Sequence, residues 1–308
     1  MNRNLARIIL TTAGLIWGFG FIANKYILDQ GWNDSQLLFV RFSIASLSIF
    51  IIFFRRIIKT NKETILSGLF LGIFLYLGYL FQTWGLVHTT ASNNALITAA
   101  YIFLMPLIIY VMEKRHVGKQ TIIAGIIVMF GISLISVDFK SLRIGLGDSL
   151  TFVGAFFYAF HIYFLGKKAK KVDPYVLMAF QLLIFTFFSF IMMMARDGFP
   201  KVDFQSGQSV RVLLFASLLG FFGSFIGFVF QSVGQKNTNE AEAAILISTE
   251  SVFGPLFAIL FYGDPFNIYI FLGILFVFVG IILSETDIKY IKNMRNNYGT
   301  NKRKQTKL

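Results

Sequence analysis

The fifteen residues Phe81–Ala95, FQTWGLVHTTASNNA, recur in altered form as Phe230–Ala244, FQSVGQKNTNEAEAA, 149 positions further along the chain. The same offset, or one near 140 for the earlier helices, equates further pairs: Gly78 and Gly227, Pro106 and Pro255, Trp17 and Tyr158, Arg41 and Gln181. Self-similarity that keeps its order over so much of a chain indicates an internal duplication. We therefore expect two domains, residues 1–142 and 143–286, followed by a tail at 287–308.

Each half contains five apolar stretches, and each is close to the roughly 20 residues that cross a bilayer. The predicted helices lie at residues 8–28, 37–54, 65–86, 95–112, 121–137, 149–166, 175–195, 211–233, 242–262 and 268–284. Residues 37–54, LLFVRFSIASLSIFIIFF, are apolar on all faces, whereas the strands of a transmembrane β-barrel alternate between apolar and polar residues. The sequence therefore predicts an all-α membrane protein.

Five is an odd number, so the second half would enter the membrane in the opposite orientation to the first. The predicted fold is ten transmembrane helices arranged as two inverted five-helix repeats. Inverted repeats are typical of secondary transporters, in which two similar bundles expose one site near the midplane to each side of the membrane in turn.

The composition excludes a soluble or disordered chain. Of the 308 residues, 56% are hydrophobic and only 14% are charged, against about a quarter in soluble domains. The chain has no cysteine, which excludes disulfides and thiolate ligands, and we predict neither a metal nor a cofactor.

Lysine and arginine indicate the orientation. The net charge is +13, and a cytoplasmic N-terminus would place 21 of the 28 Lys and Arg residues in cytoplasmic segments and five in outer loops. We therefore expect a multi-pass protein of the plasma membrane with both termini in the cytoplasm. Membrane lipids, rather than nucleic acid, are the expected partners of this charge, although the tail at 287–308 is basic enough to contact anionic lipid or RNA.

Several short motifs recur in one order through the chain. They are LIWGFGF at Leu15–Phe21, Arg41-Phe42, the Gln-x-x-Gly and small polar residues before helices four and nine, and the two prolines. Together they resemble the drug/metabolite transporter superfamily, specifically its EamA-like members, over roughly residues 8–286. The resemblance implies a ten-helix fold, movement of amino acids, other small metabolites or drugs, commonly outward, and a central cavity lined by helices one, three, four, six, eight and nine. In one departure, the acidic residue that often ends helix four is Glu113, but the nearest one after helix nine is Asp264, at a different spacing.

Four ionisable residues fall inside predicted helices, where each needs a partner or a wet cavity. Lys25 and Arg41 lie near helix ends, so anchoring at the interface and a functional role are equally open. Glu250 and His161 share a depth of about 18 Å. If both face the cavity, this pair could bind a substrate amine or carry a proton, with a purely structural pair as the alternative.

Other polar or aromatic residues offer hydrogen bonds or ring faces to a small ligand. These cavity candidates are Trp17, Asn24, Gln82, Asn93, Asn94, Tyr101, Tyr158 and Gln231. Gln82 and Gln231 are the stronger pair because the repeat equates them. Pro106 and Pro255 remove helix hydrogen bonds at matching positions, and we predict a role for them in gating.

Two other functions are weighed against transport. Gly145–Asp148 matches the GxGD pattern of intramembrane aspartyl proteases, but the second aspartate is missing, so Asp148 is expected to cap helix six and no catalytic residue is predicted. A membrane scaffold or sensor, whose halves never exchange states, is the second alternative. The prediction is a secondary transporter, with small-molecule substrate, coupling ion and oligomeric state left open.

Overall fold

The computed structural model describes residues 1–138 and 143–285, so the predicted tail at 287–308 lies outside the described residues. The helices are α1 (Arg3–Asp29), α2 (Asp34–Ile52), α3 (Phe54–Ile57), α4 (Lys62–Val87), α5 (Ala91–Thr98), α6 (Ala100–Glu113), α7 (Lys119–Ser136), α8 (Leu146–Lys168), α9 (Pro174–Arg196), α10 (Gly207–Leu218), α11 (Gly227–Gln235), α12 (Glu240–Ile247), α13 (Glu250–Phe257) and α14 (Ile268–Glu285). Two π-helical segments, π1 (Leu219–Ile226) and π2 (Ala258–Tyr262), continue α10 and α13. Strands β1 (Val137–Asp138) and β2 (Arg143–Ile144) pair antiparallel, with Val137 opposite Ile144.

Within the described ranges, eight helical segments are long and apolar enough to cross a bilayer. They are Arg3–Asp29, Asp34–Ile52, Lys62–Val87, Ala91–Glu113, Leu146–Lys168, Pro174–Arg196, Gly207–Gln235 and Glu240–Tyr262. Among the described residues, the last helix of each half, α7 or α14, is apolar over Lys119–Ile135 or Ile268–Leu283. The ten predicted stretches therefore occur as helices in the predicted order, and eight of them meet the criterion for spanning by length and composition.

Polar side chains mark where the helices begin. Asn2, Asn61, Thr90 and Asn239 each accept a hydrogen bond from the backbone N–H three residues later, at 2.8–3.1 Å. These caps satisfy backbone groups that a helix start leaves free.

The predicted cap of helix six is wrong. Helix α8 starts at Leu146 with Gly145 as its N-cap, and Asp148 lies in the first turn, where its carboxylate accepts a hydrogen bond from Thr89 Oγ1 at 2.7 Å. The carboxylate therefore ties α8 to the loop before α5 instead of capping its own helix.

The segment predicted as one regular helix at 211–233 is interrupted by π1. A Cβ atom on Gly220 would lie 2.6 Å from the carbonyl oxygen of Arg41, so π1 approaches α2 at the distance that only glycine permits. The carbonyl oxygen of Gly223 in π1 accepts a hydrogen bond from Trp17 Nε1 at 2.7 Å. Wider π turns inside helices often occur at functional sites.

Contacts between the two halves occur in equivalent pairs: a helix of the first half packs on a helix of the second half, and the repeat-equivalent helices pack in the same way with the halves exchanged. Helix α4 packs on α8 as α1 packs on α11, α4 packs on α9 as α2 packs on π1, and α5 and α6 pack on α8 as α13 packs on α1. Small residues permit the closest of these approaches: a Cβ on Gly14 would lie 2.2 Å from Thr249 Oγ1. Each of these contacts between the halves thus has a counterpart in which the repeat-equivalent helices exchange places.

The helix ends form two faces. We name one the basic face, because ion pairs join its residues Arg3 to Glu242, Arg56 to Asp173, and Lys167 to Glu113 and Glu240. We name the other the acidic face, which holds Asp29, Asp34, Asp148, Asp197 and Asp264. Helix α1 runs from the basic to the acidic face, and α8, which begins the second half, runs from the acidic to the basic face.

Candidate functional site

A small cavity lies in the middle of the bundle, between the two faces. Its volume is about 40 Å³, which is room for about three water molecules. Its sixteen lining residues are Trp17, Gly20, Phe21, Asn24, Arg41, Leu75, Tyr79, Gln82, Tyr101, Tyr158, His161, Ile162, Phe228, Gln231, Ile247 and Glu250. All of them are buried.

Repeat-equivalent residues wall the cavity. Six pairs that the sequence offsets equate lie in its lining: Trp17 with Tyr158, Gly20 with His161, Phe21 with Ile162, Tyr79 with Phe228, Gln82 with Gln231, and Tyr101 with Glu250. The cavity is therefore built by both halves from matching positions, and neither half encloses it alone.

Glu250 is brought to the cavity by a break in a helix. Helix α12 ends at Ile247 and α13 starts at Glu250, and a matching break separates α5 from α6 at Ala99. The Glu250 side chain is 6% exposed, and its Oε1 accepts a hydrogen bond from Tyr101 OH at 3.0 Å. Tyr101 is the repeat counterpart of Glu250, so two equivalent residues meet across the interface of the halves.

His161 lies in the same cavity wall but does not pair with Glu250. Its Nε2 is 2.7 Å from Gln181 Oε1, and the His161 side chain is buried. The two ionisable residues share one cavity, as the sequence depth predicted, while each is held by a neutral partner of its own.

Gln82 and Gln231 occupy equivalent positions but differ in their partners. Gln82 Nε2 donates to Thr98 Oγ1 at 2.9 Å, and Gln82 Oε1 accepts from Tyr158 OH at 2.9 Å. The Oε1 atom of Gln231 is buried and has no hydrogen-bond partner.

Arg41, for which the sequence left anchoring and a functional role equally open, lines the cavity. Its side chain is 1% exposed, which excludes anchoring at the membrane interface. The guanidinium group donates from Nε to Ser224 Oγ at 2.6 Å, from Nη1 to Asn24 Oδ1 at 3.2 Å and from Nη2 to Tyr79 OH at 3.3 Å. The sequence contained one signal for it, because the repeat equates Arg41 with Gln181, which holds His161.

Lys25, the other cation left open by the sequence, belongs to the acidic face. Its Nζ donates to the carbonyl oxygen of Leu86 at 3.3 Å and lies 3.4 Å from Asp29 Oδ1. It does not line the cavity.

Asn93 and Asn94 do not line the cavity either. Asn93 lies in the first turn of α5, and its backbone N–H donates to the capping hydroxyl of Thr90. Asn94 is fully buried, and its Nδ2 donates to the carbonyl oxygen of Gln82 at 3.0 Å and to Thr151 Oγ1 at 2.7 Å. It joins α5 to α4 and α8.

The two prolines lie away from the cavity, at matching positions of α6 and α13. Pro106 lines a separate apolar pocket of about 180 Å³, together with Tyr110 and His116. Pro255 is buried, three residues before π2 begins.

The two acidic residues compared with the family pattern, of which Glu113 matches it and Asp264 departs from it, lie on opposite faces. Glu113 pairs with Lys167 at 2.8 Å on the basic face. Asp264 accepts from the backbone N–H and the hydroxyl of Ser92, at 2.8 and 2.7 Å, on the acidic face.

Different contacts close the two faces. On the basic face, Glu242 accepts from Arg3 and Arg7 at 2.7 and 2.5 Å, which joins the start of α1 to the start of α12. On the acidic face, Asp34 accepts from Trp84 Nε1 at 2.5 Å and from Arg196 Nη1 at 3.1 Å.

The chain is similar to known proteins over most of its length. The family described as the EamA-like transporter family matches residues 4–137 and 145–286. An uncharacterized transporter of Archaeoglobus fulgidus is 28% identical over 283 residues, which is 92% of this chain and 86% of the relative. An uncharacterized transporter of Clostridium kluyveri is 22% identical over 96% of this chain and 97% of its own length. A solved crystal structure has a similar fold, with a TM-score of 0.69 at 15% identity, and covers 92% of this chain and 97% of its own.

Proposed function

This chain belongs to the EamA-like transporter family, and we propose that it is a secondary transporter that exports small metabolites, such as amino acids or drugs, by alternating access. The family and the transporter relatives show that the chain is an integral multi-pass membrane transporter. The cavity supports transport by alternating access. A cavity in the middle of the bundle, lined by buried polar and aromatic residues from both halves, is the observation that carries the proposal.

Alternating access requires two closures that open in turn. The contacts of Glu242 with Arg3 and Arg7 hold the basic face, and those of Asp34 with Arg196 hold the acidic face. A cavity of about 40 Å³ holds water but is too small for a metabolite, so a bound substrate must widen it by moving one half against the other.

The paired packing of the halves supports two states of similar energy. Helices α1 and α8 run in opposite directions, and each contact between the halves has a counterpart in which the halves exchange roles. We propose that the chain is a pair of inverted five-helix repeats, with domains at 1–142 and 143–286, in which α7 and α14 complete ten crossings. Opening to one face in one state then corresponds to opening to the other face in the second state.

The charge asymmetry supports a cytoplasmic location of the basic face. The segments predicted to be cytoplasmic hold 21 of the 28 Lys and Arg residues, and such an excess marks the cytoplasmic side of bacterial and eukaryotic membrane proteins. We place both termini in the cytoplasm and the protein in the plasma membrane.

Glu250 is the residue proposed to contact the substrate or a coupling proton. It is the carboxylate of the cavity, it begins a helix, and its hydroxyl partner Tyr101 comes from the opposite half. His161 is proposed as a second group of the same wall. A helix break lies directly before Glu250, and discontinuous helices are typical of transporter sites. Pro106 and Pro255 are proposed to let the helices bend during opening.

Counterflow in proteoliposomes tests the proposal. Purified protein is reconstituted, loaded with an unlabelled amino acid or drug, and supplied with the same labelled compound outside. We expect labelled solute to accumulate, and we expect Glu250→Gln to lower the initial rate about tenfold or more, because the amide keeps the shape of the side chain but can neither release a proton nor carry a negative charge. If protons are coupled, the rate of the wild type varies with pH while that of the variant does not.

Glu63→Gln is the matched control, since Glu63 is an exposed carboxylate in the first turn of α4 and does not line the cavity. Its counterflow should equal that of the wild type. Folded, reconstituted protein that exchanges no solute from a broad panel of metabolites and drugs would favour the scaffold or sensor instead.

A further inference from the structure

Arg41 is a buried cation whose hydrogen bonds all end on neutral oxygen atoms. It donates to Ser224, Asn24 and Tyr79, and its guanidinium carbon lies 4.9 Å from the centre of the Tyr79 ring. Among the described residues, no carboxylate forms an ion pair with it. An arginine side chain stays protonated in proteins, so this charge persists inside an apolar bundle.

A buried charge without a counterion lowers stability. A bound ligand of opposite charge can supply the missing counterion. The carboxylate that shares the cavity, Glu250, is held by Tyr101 and lies beyond ion-pair distance from Arg41. A guanidinium group has five N–H donors, of which three are used here. The terminal nitrogens each keep one N–H, and two such donors suit the two oxygens of a carboxylate.

The side-chain oxygen of Gln231 is a second group without a partner in the same cavity, because it accepts no hydrogen bond from the described residues. Its counterpart Gln82 is bonded by Thr98 and Tyr158, and the repeat replaces these two partners by Ile247 and Trp17.

Isoleucine has no hydrogen-bonding group, and the indole N–H of Trp17 donates to the carbonyl oxygen of Gly223 instead. Gln231 Oε1 is therefore left as a buried acceptor in the cavity wall. A buried acceptor without a partner costs about 1–3 kcal/mol, which a ligand that donates to it would recover.

Arg41 and Gln231 lie at different depths, measured along the continuous helix formed by π1 and α11. Ser224, which holds Arg41, and Gln231 are seven residues apart along π1 and α11, so their levels differ by roughly 10 Å at helical rise. A single small molecule can reach both only if its acidic group and its donor group are at opposite ends.

We propose that the transported molecule carries a carboxylate, bound by Arg41, and a hydrogen-bond donor at its other end, received by Gln231 Oε1. This assignment rests on the proposed transport function and names the class of substrate. It separates the two glutamines: Gln231 contacts the substrate, and Gln82 holds the helices together.

Paired probes test the carboxylate. Wild-type protein is titrated by calorimetry and thermal shift with acids whose donor group lies at the far end, namely L-lysine, L-arginine and linear ω-amino and ω-hydroxy acids, each beside its own primary amide. We expect at least one acid to bind and its amide to bind roughly 30-fold more weakly, as when one partner of a buried charge pair is lost. Arg41→Met should remove this preference for the acid, and Arg41→Lys should retain part of it.

The glutamine pair provides the matched control. Gln231→Met should weaken binding of the acid several-fold without lowering the melting temperature. Gln82→Met should lower the melting temperature, because the buried hydroxyl groups of Tyr158 and Thr98 lose their hydrogen bonds to Gln82. An amide that binds as tightly as its acid, or unchanged acid binding by folded Arg41→Met protein, would overturn the assignment.

Counterflow separates this assignment from the transport function. Exchange of the amides, or of amines without a carboxylate, in preference to the acids would overturn the substrate class while the transporter stands. Failure of every acid and amide to bind or exchange would overturn the substrate class and would also count against transport of the proposed metabolites.

Discussion

Replacing Glu242 by glutamine should open the basic face of the protein. The Glu242 carboxylate joins Arg3 and Arg7 of α1 to the start of α12, which belongs to the other half. Glutamine keeps the shape of the side chain and removes its charge. The two halves then lose a contact that exists only while this face is closed.

The magnitude follows from the exposure of the partners. The side chains of Arg3 and Arg7 are 61% and 39% exposed, so solvent screening limits each pair to about 0.5–1 kcal/mol. Glu242 itself is 6% exposed, and two pairs end on it. A total of about 1–2 kcal/mol shifts the ratio of open to closed molecules about 5- to 30-fold.

Cysteine labelling measures this shift cleanly, because the chain contains no cysteine of its own. A single Ile247→Cys substitution places a thiol in the cavity. A membrane-impermeant thiol reagent is added to right-side-out cells or to inverted vesicles. We expect Glu242→Gln to accelerate labelling from the basic face about 5- to 30-fold and to slow it from the acidic face.

Glu63→Gln on the same face serves as the control and should leave both rates unchanged, since Glu63 is exposed in the first turn of α4. Raising the ionic strength should accelerate labelling of the otherwise unaltered protein from the basic face, because salt screens exposed ion pairs. Labelling rates that do not respond to Glu242→Gln, or that rise equally from both faces, would refute this account of the closure.

Two further predictions concern packing and orientation. Gly14→Ala would place a methyl group 2.2 Å from Thr249 Oγ1 and should lower the free energy of unfolding by about 1–3 kcal/mol. Gly118→Ala should leave it unchanged, because no atom lies within 4 Å of the new methyl group. Thermal melts of both variants check this, and equal melting temperatures would contradict it. In intact cells, an impermeant thiol reagent should label Lys201→Cys and spare Lys59→Cys, since these exposed residues lie on the acidic and basic faces; the reverse pattern would place the N-terminus outside.

Much of the architecture could be predicted from the sequence. The family resemblance is confirmed by the match over residues 4–137 and 145–286, and the apolar stretches occur as helices in the predicted order. Helix ends moved by a few residues where polar caps lie outside the apolar run, as at Asn2 and Asn239. The prediction for Asp148 failed because its carboxylate finds the hydroxyl of Thr89, which comes from another helix connection.

The site was harder to predict than the fold. Helix α2 is apolar on all faces, so its sequence does not indicate which face turns inward, and Arg41 could have reached either the interface or the cavity. The repeat equates Tyr101 with Glu250 but did not predict that they meet, which they do at 3.0 Å, and it treated Gln82 and Gln231 as equals. Their partners differ, and these partners come from other helices.

The sequence by itself determined the apolar helices, their order, the duplication and the bias of positive charge to one side, because these properties depend on local composition and spacing along the chain. Only the tertiary structure decided which polar groups satisfy one another in the bundle. A hydrogen bond such as that between Arg41 and Ser224 joins residues 183 positions apart, and it forms only when two helices pack at one register. The groups left without such partners then define what the cavity can bind.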